Sequence, residues 1–322
     1  MLFVGFFVLW VSLPITLPVA LVIDSGRWLV ARTPFMAWRL LTFGVAYATL
    51  EIIGVIALAT VWTLSGFGAA ERRLASLTFA IQVRWAEAVL TAVRSIFGLR
   101  ISVDGEDHVV DTPYVLLARH TSIVDNLLPS HFISRPYGIH VSYVMKAELL
   151  ADPCLDVAGN RLPNVFVKRT SGDTDGEVTA IRSLGRSIEA GSAILIYPEG
   201  TRFTPTKLKG AVQRLANRNP ELHRIASGYR SVLPPRPAGT LALLESTAAD
   251  VVVLVHRGFD GFARIADIWR GAMVDRVVEV DFWRIPHSSI PTGRAERVEW
   301  LYRLWSDVDA WVMDGIRPGA HA

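Results

Sequence analysis

The sequence predicts an α/β protein in which a mostly parallel sheet, flanked by helices, follows a two-helix membrane anchor at the N-terminus. Two long apolar runs near the N-terminus indicate the anchor. Further along the chain, short runs rich in β-branched residues alternate with longer helical stretches, a pattern typical of parallel sheets covered by helices. The predicted segments are membrane helices over residues 1–70, an amphipathic connecting helix over 71–98 and an α/β domain over 99–322.

The first apolar run, residues 2–23, carries no charged side chain. At about 1.5 Å per residue it is long enough to cross roughly 30 Å of hydrocarbon. Pro14 and Pro18 are expected to kink this helix. The arginines flanking the two apolar runs are almost evenly balanced, so the positive-inside rule sets no orientation. The sequence therefore leaves open whether the helices span the bilayer or form a hairpin that enters one leaflet.

The second apolar run, residues 40–64, contains Glu51 near its middle. A carboxylate at the bilayer centre costs roughly 2.5–3.5 kcal/mol on insertion scales. We therefore expect Glu51 to face the first helix, a polar cavity or the headgroups. A protonated carboxyl within a helix pair is the simpler interpretation, and a functional role is the alternative. Residues 71–97 mix basic and apolar side chains, which suits a helix on the headgroups as well as one packed on the domain.

The composition of the chain excludes several classes of protein. The formal net charge is +3, and 29 of the 33 basic residues are arginines, a usage typical of GC-rich bacterial genomes. A nucleic-acid-binding protein would show a concentrated basic face, so we expect no nucleic-acid partner. The single Cys154 excludes an internal disulfide and a multi-cysteine zinc site. His131 and His140 lie near the segment ARHTSIVDNLLP, which contains a further histidine, but no ligand-spaced cluster appears, and we expect no metal.

The β-branched runs beyond residue 99 predict eight strands, of which VVVLV is typical of a central strand in a covered sheet. The predicted strands are 100–103, 114–118, 140–145, 165–168, 193–197, 231–233, 250–256 and 277–282. Helical patterns cover residues 176–190, 208–217 and 294–313. The last helix carries a stripe of tryptophans, which is more typical of core packing than of membrane contact.

The strongest local signal is the segment ARHTSIVDNLLP, where a predicted strand ends directly before His120 and Asp125 follows five residues later. Catalytic residues gather at the carboxyl ends of strands in such sheets. A histidine there can accept a proton while a nearby carboxylate fixes its tautomer. Taken alone, however, this spacing is common and more often marks an ordinary histidine in a turn.

A second segment, ILIYPEGTRF, also places polar residues directly after a buried strand. Its glycine permits close approach of the backbone, and its arginine can bind phosphate. The candidate binding residues of this segment are Glu199, Gly200, Thr201 and Arg202. An ordinary turn after a strand would look similar, but this combination of residues is much less common.

Two further segments end predicted strands in basic residues. NVFVKRTSGD ends in Lys168 and Arg169, which taken alone would be read as a solvated strand end. SVLPPRPAG breaks an apolar strand with prolines around Arg236. Guanidinium groups pair well with phosphate, so both segments are candidates for binding an anionic substrate.

The four segments, in this order, resemble the blocks of the glycerolipid acyltransferase superfamily, whose best-known class is the 1-acylglycerol-3-phosphate acyltransferases. The resemblance covers about residues 100–260 and includes the H-x4-D spacing, P-E-G-T-R and a K-x-E-L-like segment in MKAELL. Three positions depart from the family pattern. Arg119 stands where the family usually has Asn, Tyr197 replaces Phe, and Asn126 follows the aspartate. These departures put the choice of acceptor in doubt more than the activity.

The resemblance implies that His120 is the general base on an acceptor hydroxyl and that Asp125 orients it. The hydroxyl then attacks the thioester of acyl-CoA or acyl-carrier protein, without a covalent acyl-enzyme and without a cofactor. Backbone N–H groups near Gly200 would stabilise the oxyanion. The residues implied at the acceptor's phosphate are Arg169 and Arg202, with Lys168 as a weaker candidate and Glu199 organising Arg202 or its loop.

The implied reaction is acyl transfer to lysophosphatidic acid, which gives phosphatidic acid in phospholipid biosynthesis. The expected partners are membrane lipids, a lysophospholipid acceptor and the acyl-CoA or acyl-carrier protein donor. The expected location is a bacterial cytoplasmic membrane, with the active site on the cytoplasmic side. Three alternatives stay open: another lysophospholipid or polar lipid as acceptor, a thioesterase-like hydrolase using the same pair, and a non-enzymatic scaffold. The intact His120 and Asp125 count against the scaffold.

Overall fold

The computed structural model describes residues 2–168, 174–260 and 265–317. Its N-terminal part consists of three long helices: α1 (Leu2–Ala31), α2 (Met36–Leu64) and α3 (Glu71–Phe97). Helices α1 and α2 are each long and apolar enough to cross a membrane, judged by length and composition. Pro14 and Pro18 both lie inside α1, which continues past them.

A buried carboxylate joins α1 to α2. Oδ1 of Asp24 accepts the N–H groups of Met36 and Ala37 at 3.0 Å each, and Oδ2 accepts that of Trp38 at 2.8 Å. The first N–H groups of a helix have no partner within the helix, and an acidic side chain suits this end. Asp24 therefore fixes the turn of the hairpin, a role that the sequence pattern did not suggest.

Helix α2 packs along the α/β domain. Oε2 of Glu51 accepts the N–H of Cys154 at 3.2 Å, and the Arg161 guanidinium donates to the carbonyl oxygen of Leu58 at 3.0 Å. Both partners lie in helix α5 (Pro153–Arg161). Glu51 thus faces α5, which differs from the three surroundings that the sequence suggested. The reason is tertiary packing between segments about 100 residues apart, which a hydropathy pattern does not report.

The sheet of the α/β domain has seven strands within the described residues, in the order β1-β7-β6-β2-β5-β3-β4. The strands are β1 (Arg100–Asp104), β2 (Tyr114–Ala118), β3 (His140–Lys146), β4 (Val165–Val167), β5 (Ser192–Ile196), β6 (Asp250–Arg257) and β7 (Val277–Ile285). All neighbouring pairs are parallel except β6 and β7. The predicted mostly parallel α/β fold is confirmed.

The predicted strand at residues 231–233 is wrong, because this segment is an irregular loop. Oδ1 of Asp309 accepts the N–H of Ser231 at 2.6 Å, and Oε2 of Glu199 accepts the N–H of Leu233 at 2.9 Å. Pro234 and Pro235 follow and have no N–H to donate. The N–H groups of Ser231 and Leu233 are therefore bound to side chains and the two prolines have none, so these four residues donate no hydrogen bond to a neighbouring strand.

Helices cover both faces of the sheet. The remaining ones are α4 (Arg135–Tyr137), α6 (Thr174–Arg186), α7 (Pro205–Ala216), α8 (Pro220–Ala226), α9 (Pro237–Leu244), α10 (Ile265–Trp269) and α11 (Arg294–Asp314). One face packs against α2 and α3, and the other against α6, α9 and α11. Because α3 buries Val89, Leu90 and Phe97 in the core, the structure favours the packed helix over one lying on headgroups. The tryptophan stripe of α11 is also core, with Trp305 fully buried.

Candidate active site

The candidate site lies where β2, β5 and β6 end. Both β5 and β6 run parallel to β2 as its direct neighbours, so their carboxyl ends share one edge of the sheet. His120 follows β2, Glu199 follows β5 and His256 is the penultimate residue of β6. This edge is where open α/β sheets place their ligands.

His120 and Asp125 contact each other through Nδ1 and Oδ2, which lie 3.2 Å apart. The same Oδ2 accepts the backbone N–H groups of Thr121 at 2.6 Å and Ser122 at 2.8 Å. A carboxylate oxygen only accepts, so the contact assigns the proton to Nδ1 of His120. The Nε2 atom is then the basic one, and the imidazole remains partly exposed, at 13% of its side-chain surface.

The surroundings of Asp125 keep it ionised. Burial by itself raises the pKa of this carboxyl, but His256 and His120 act in the opposite direction through charge and hydrogen bonding. The net pKa lies well below the ordinary value. Asp125 can therefore stabilise a positive charge on His120 without taking its proton.

The ring of Tyr197 covers the ring of His120, with their centroids 4.3 Å apart and the planes tilted by 31°. Burial, together with the charge of Asp125, raises the pKa of Tyr197 well above its ordinary value. Tyr197 therefore stays a neutral phenol that limits the motion of the imidazole.

Glu199 connects the site's loops. Its Oε1 accepts the N–H of His120 at 3.1 Å, and its Oε2 accepts that of Leu233 at 2.9 Å. Burial raises its pKa to about 7, although Arg119 and the two N–H groups oppose this shift. Of the two roles expected for Glu199, the structure supports organising the loops, because both of its oxygens contact backbone.

Arg119, the departure from the family's Asn, is fully buried behind His120. Its guanidinium donates to the carbonyl oxygens of His256 and Ser231, both at 2.8 Å, and forms an ion pair with Asp260. It therefore joins the ends of β2 and β6 to the loop at residue 231. The sequence singled out Arg119 only as an exception to a pattern.

The turn after β5 encloses the backbone of His120. Gly200 has a φ of +64°, and its N–H donates to the carbonyl oxygen of Tyr197 at 2.9 Å. This N–H is therefore committed to the turn, and an oxyanion site formed by backbone N–H groups near Gly200 stays a prediction. A Cβ atom at Gly200 would lie 3.1 Å from Cδ of Arg236, so the absence of a side chain lets that arginine approach. The N–H of Phe203 donates to the carbonyl oxygen of His120 at 2.8 Å.

Comparison with known proteins identifies the domain that carries this geometry. Residues 100–233 match the family model described as "Acyltransferase". Over these residues the chain is similar to the members of that family. The match includes His120, Asp125 and the turn at Gly200, and leaves out His256.

Three curated relatives of the acyltransferase domain carry the name 1-acyl-sn-glycerol-3-phosphate acyltransferase. The epsilon form of Mus musculus is 24% identical over 243 residues, which are 70% of this chain and 64% of the relative. The gamma form of Mus musculus is 28% identical over 241 residues, which are 70% of this chain and 59% of the relative. The Pseudomonas aeruginosa protein is 30% identical over 129 residues, which are 39% of this chain and 46% of the relative. The chain thus spans about half to two thirds of the length of these relatives.

One solved structure resembles this chain over most of its length. The 1-acyl-sn-glycerophosphate (LPA) acyltransferase PlsC from Thermotoga maritima aligns with 84% of this chain and 98% of its own, with 12% identity and a TM-score of 0.44.

The acyltransferase domain holds its predicted basic residues at different distances from His120. Arg202 lies in the turn next to His120, and Arg236 packs over Gly200 in the same turn. The Nζ of Lys207 donates to Oγ1 of Thr201 at 3.2 Å and to the carbonyl oxygen of Arg202 at 2.8 Å, which holds the turn from α7. Lys168 is exposed at the end of β4, two strand spacings from β5, or about 10 Å. Arg169 lies outside the described residues.

An apolar cavity of about 360 Å³ lies between the acyltransferase domain and the N-terminal helices. Its wall includes Ile123, Val124 and Asn126, which flank Asp125 in the sequence. Further lining side chains from α2, α3 and β3 are Phe43, Trp85, Val89 and Met145. The cavity is large enough for part of a lipid chain and reaches the segment that holds the catalytic candidates.

Proposed function

We propose that the protein is a membrane-bound O-acyltransferase. It moves a fatty acyl group from acyl-CoA or acyl-carrier protein to the free hydroxyl of lysophosphatidic acid and forms phosphatidic acid for phospholipid biosynthesis. The observation that carries the proposal is the His120–Asp125 contact, in which Nδ1 of the partly exposed ring binds a buried carboxylate whose chain neighbours Val124 and Asn126 line an apolar cavity. The names of the curated relatives support the same substrate.

The proposed reaction needs one base and no covalent intermediate. Nε2 of His120 takes the proton of the acceptor hydroxyl while the hydroxyl oxygen bonds to the carbonyl carbon of the thioester. The carbon–sulfur bond then breaks, and the departing thiolate takes a proton from the imidazolium, which restores neutral His120. Asp125 stays ionised throughout and stabilises the imidazolium.

The two ends of the substrates have matching surroundings. The cavity beside Asp125 is lined mostly by aliphatic and aromatic side chains, which suits the acyl chain. Arg202 and Arg236, at the turn beside His120, suit the phosphate of the acceptor. Lys168, at the edge of the sheet, and Arg169 remain candidates for binding the same phosphate.

Attachment to the membrane follows from the N-terminal helices. Helix α1 exposes apolar side chains over much of its length, among them Phe7, Val11, Ile15 and Val22, each more than half exposed. An uncovered apolar surface of this extent is suited to lipid. We propose that these helices lie in a bacterial cytoplasmic membrane. The site would then face the cytoplasm, where acyl thioesters are made.

A product assay tests the proposal. The full chain in phospholipid vesicles is given palmitoyl-CoA with lysophosphatidic acid, with a panel of other lysophospholipids or with no acceptor, and both free thiol and lipid products are measured. We expect thiol release matched by phosphatidic acid. Thiol release without any acceptor would indicate a hydrolase instead. Transfer only to another lysophospholipid would support an acyltransferase but would refute lysophosphatidic acid as its acceptor.

A further inference from the structure

His256 lies behind the candidate catalytic pair, on the side of Asp125 away from His120. Its Nε2 is 3.5 Å from Oδ1 of Asp125 and 3.1 Å from the carbonyl oxygen of Arg119. The three closest contacts of Asp125 all reach Oδ2, whereas Oδ1 is buried without a hydrogen-bond partner among the described residues and has Nε2 of His256 at 3.5 Å. The two oxygens of this buried carboxylate thus face two different histidines.

The contacts of His256 assign its tautomer. A carbonyl oxygen only accepts, so the 3.1 Å contact with Arg119 places a proton on Nε2. Nδ1 is buried and has no hydrogen-bond partner among the described residues. Nε2 is therefore the nitrogen of His256 that donates. His256 is a completely buried donor, whereas the partly exposed His120 can exchange its proton with a substrate.

His256 is held firmly in place, and burying its imidazole there lowers the stability of the fold. The side chain is completely buried near the end of a strand in which the five residues before it, 251–255, are all apolar. Its own carbonyl oxygen accepts from the Arg119 guanidinium at 2.8 Å, which holds its backbone. A buried imidazole with an unpaired nitrogen is less favourable than another valine would be. A donor nitrogen 3.5 Å from the otherwise unpartnered Oδ1 of Asp125 provides a chemical reason for a histidine here.

We infer that His256 is a positioning residue for the proposed acyl transfer. Its Nε2–H group, which donates to the Arg119 carbonyl and has its nitrogen 3.5 Å from Oδ1 of Asp125, attracts Oδ1 and so holds the plane of the carboxylate with Oδ2 facing Nδ1 of His120. When His120 gains the hydroxyl proton, the same N–H stabilises the anionic partner of the new imidazolium. This inference rests on the proposed function only for its kinetic consequences, because the arrangement of the three side chains is independent of the substrate.

Three variants of the full chain in vesicles test this role. His256→Gln carries an amide N–H with about the reach of Nε2, His256→Asn carries the same amide but is too short to reach Asp125, and His256→Met fills the space without a donor. A hydrogen bond to a charged group corresponds to a change of about 10- to 100-fold. We expect kcat to fall by that factor in the Asn and Met variants with KM for lysophosphatidic acid unchanged. His256→Gln should recover most of the loss.

Equal losses in the Gln and Asn variants, or a change confined to KM, would overturn the inference. A measurement without turnover separates it from the proposed function: the imidazole ¹⁵N and N–H resonances of the full chain in detergent micelles. We expect His256 to resonate as a neutral Nε2–H tautomer and the Nδ1–H signal of His120 to shift in His256→Asn but not in His256→Gln. An unshifted His120 signal in His256→Asn would refute the positioning role, whereas inactivity of the unaltered protein toward lysophosphatidic acid would refute only the substrate.

Discussion

Burial separates the charged residues of the site into two groups. Asp125 and Glu199 are almost completely buried, whereas Arg202 and Arg236 reach solvent. Buried carboxylates need hydrogen-bond donors, and both obtain them from the backbone around His120. The carboxylates therefore organise the site, and the two arginines are the groups able to meet a substrate.

Glu199 should leave a signature in the pH dependence of stability. Its pKa in the folded protein is about 7, against an ordinary value of 4.5. Between these values the unfolded chain has released the proton that the folded chain still holds, so the contribution of Glu199 to the free energy of unfolding falls as pH rises. Thermal unfolding at several pH values measures it.

Glu199→Gln removes this titration. We expect the difference in free energy of unfolding between the unaltered protein and Glu199→Gln to decrease from about pH 4.5 to about pH 7 and to stay level above that. The matched control is Glu221→Gln, at an exposed position of α8. A difference that does not change with pH, or that changes equally in the control, would contradict the assigned pKa.

Arg202 is expected to act on the phosphate of the acceptor. Because a charge-assisted hydrogen bond is lost, Arg202→Ala should raise KM for lysophosphatidic acid by about 10- to 100-fold. It should have little effect on KM for monoacylglycerol, which lacks the phosphate. Arg214→Ala, at an exposed position of α7, is the control. A changed preference for acyl-chain length with unchanged KM would show that the phosphate assignment is wrong.

At the scale of elements, the loop at residues 230–236 depends on α11. Asp309 of α11 accepts the N–H groups of Arg230 at 3.0 Å and Ser231 at 2.6 Å, and the Ser231 hydroxyl at 2.7 Å. The loop in turn carries Arg236 to the turn at Gly200. The shape of the candidate phosphate site is therefore set by a helix near the end of the described chain.

Asp309→Ala should loosen this loop. It leaves the buried N–H of Ser231 and the partly buried N–H of Arg230 without their acceptor, so we expect the free energy of unfolding to fall by about 1–3 kcal/mol and KM for lysophosphatidic acid to rise. Urea unfolding and initial-rate kinetics measure the two effects. Asp307→Ala changes an exposed carboxylate of the same helix and should alter neither. Equal behaviour of the two variants would mean that Asp309 does not support the loop.

The same loop shows what a local pattern predicts and what it does not. Strands such as β2 and β6 were predictable because each is a short, continuous apolar run of the kind typical of a buried strand. Residues 231–233 have a similar run, but acceptors far along the chain, Glu199 and Asp309, bind their N–H groups. His256 was predicted only as a strand end, since its partner Asp125 is 131 positions earlier in the sequence.

At the scale of the whole molecule, the N-terminal helices are part of the domain as well as a candidate anchor. Helix α2 contacts the core through Leu40 and Phe43 and reaches α5 through Glu51, so one of its faces is covered by protein. The sequence predicted the apolar runs but not this contact, because hydropathy does not distinguish a lipid-facing side from a packed one. The cavity beside Asp125 exists only because α2 and α3 close it. The anchor and the candidate site therefore form one structure.

The most direct test of the proposed acyl transfer compares two histidine variants of the full chain in vesicles. His120→Ala removes the proposed base, and His223→Ala changes a partly exposed histidine of α8. With palmitoyl-CoA and lysophosphatidic acid, we expect phosphatidic acid formation to fall by at least about 1,000-fold in His120→Ala and to stay unchanged in His223→Ala, with both variants folded and inserted. Near-normal formation of phosphatidic acid by His120→Ala would contradict the central role of the His120–Asp125 pair.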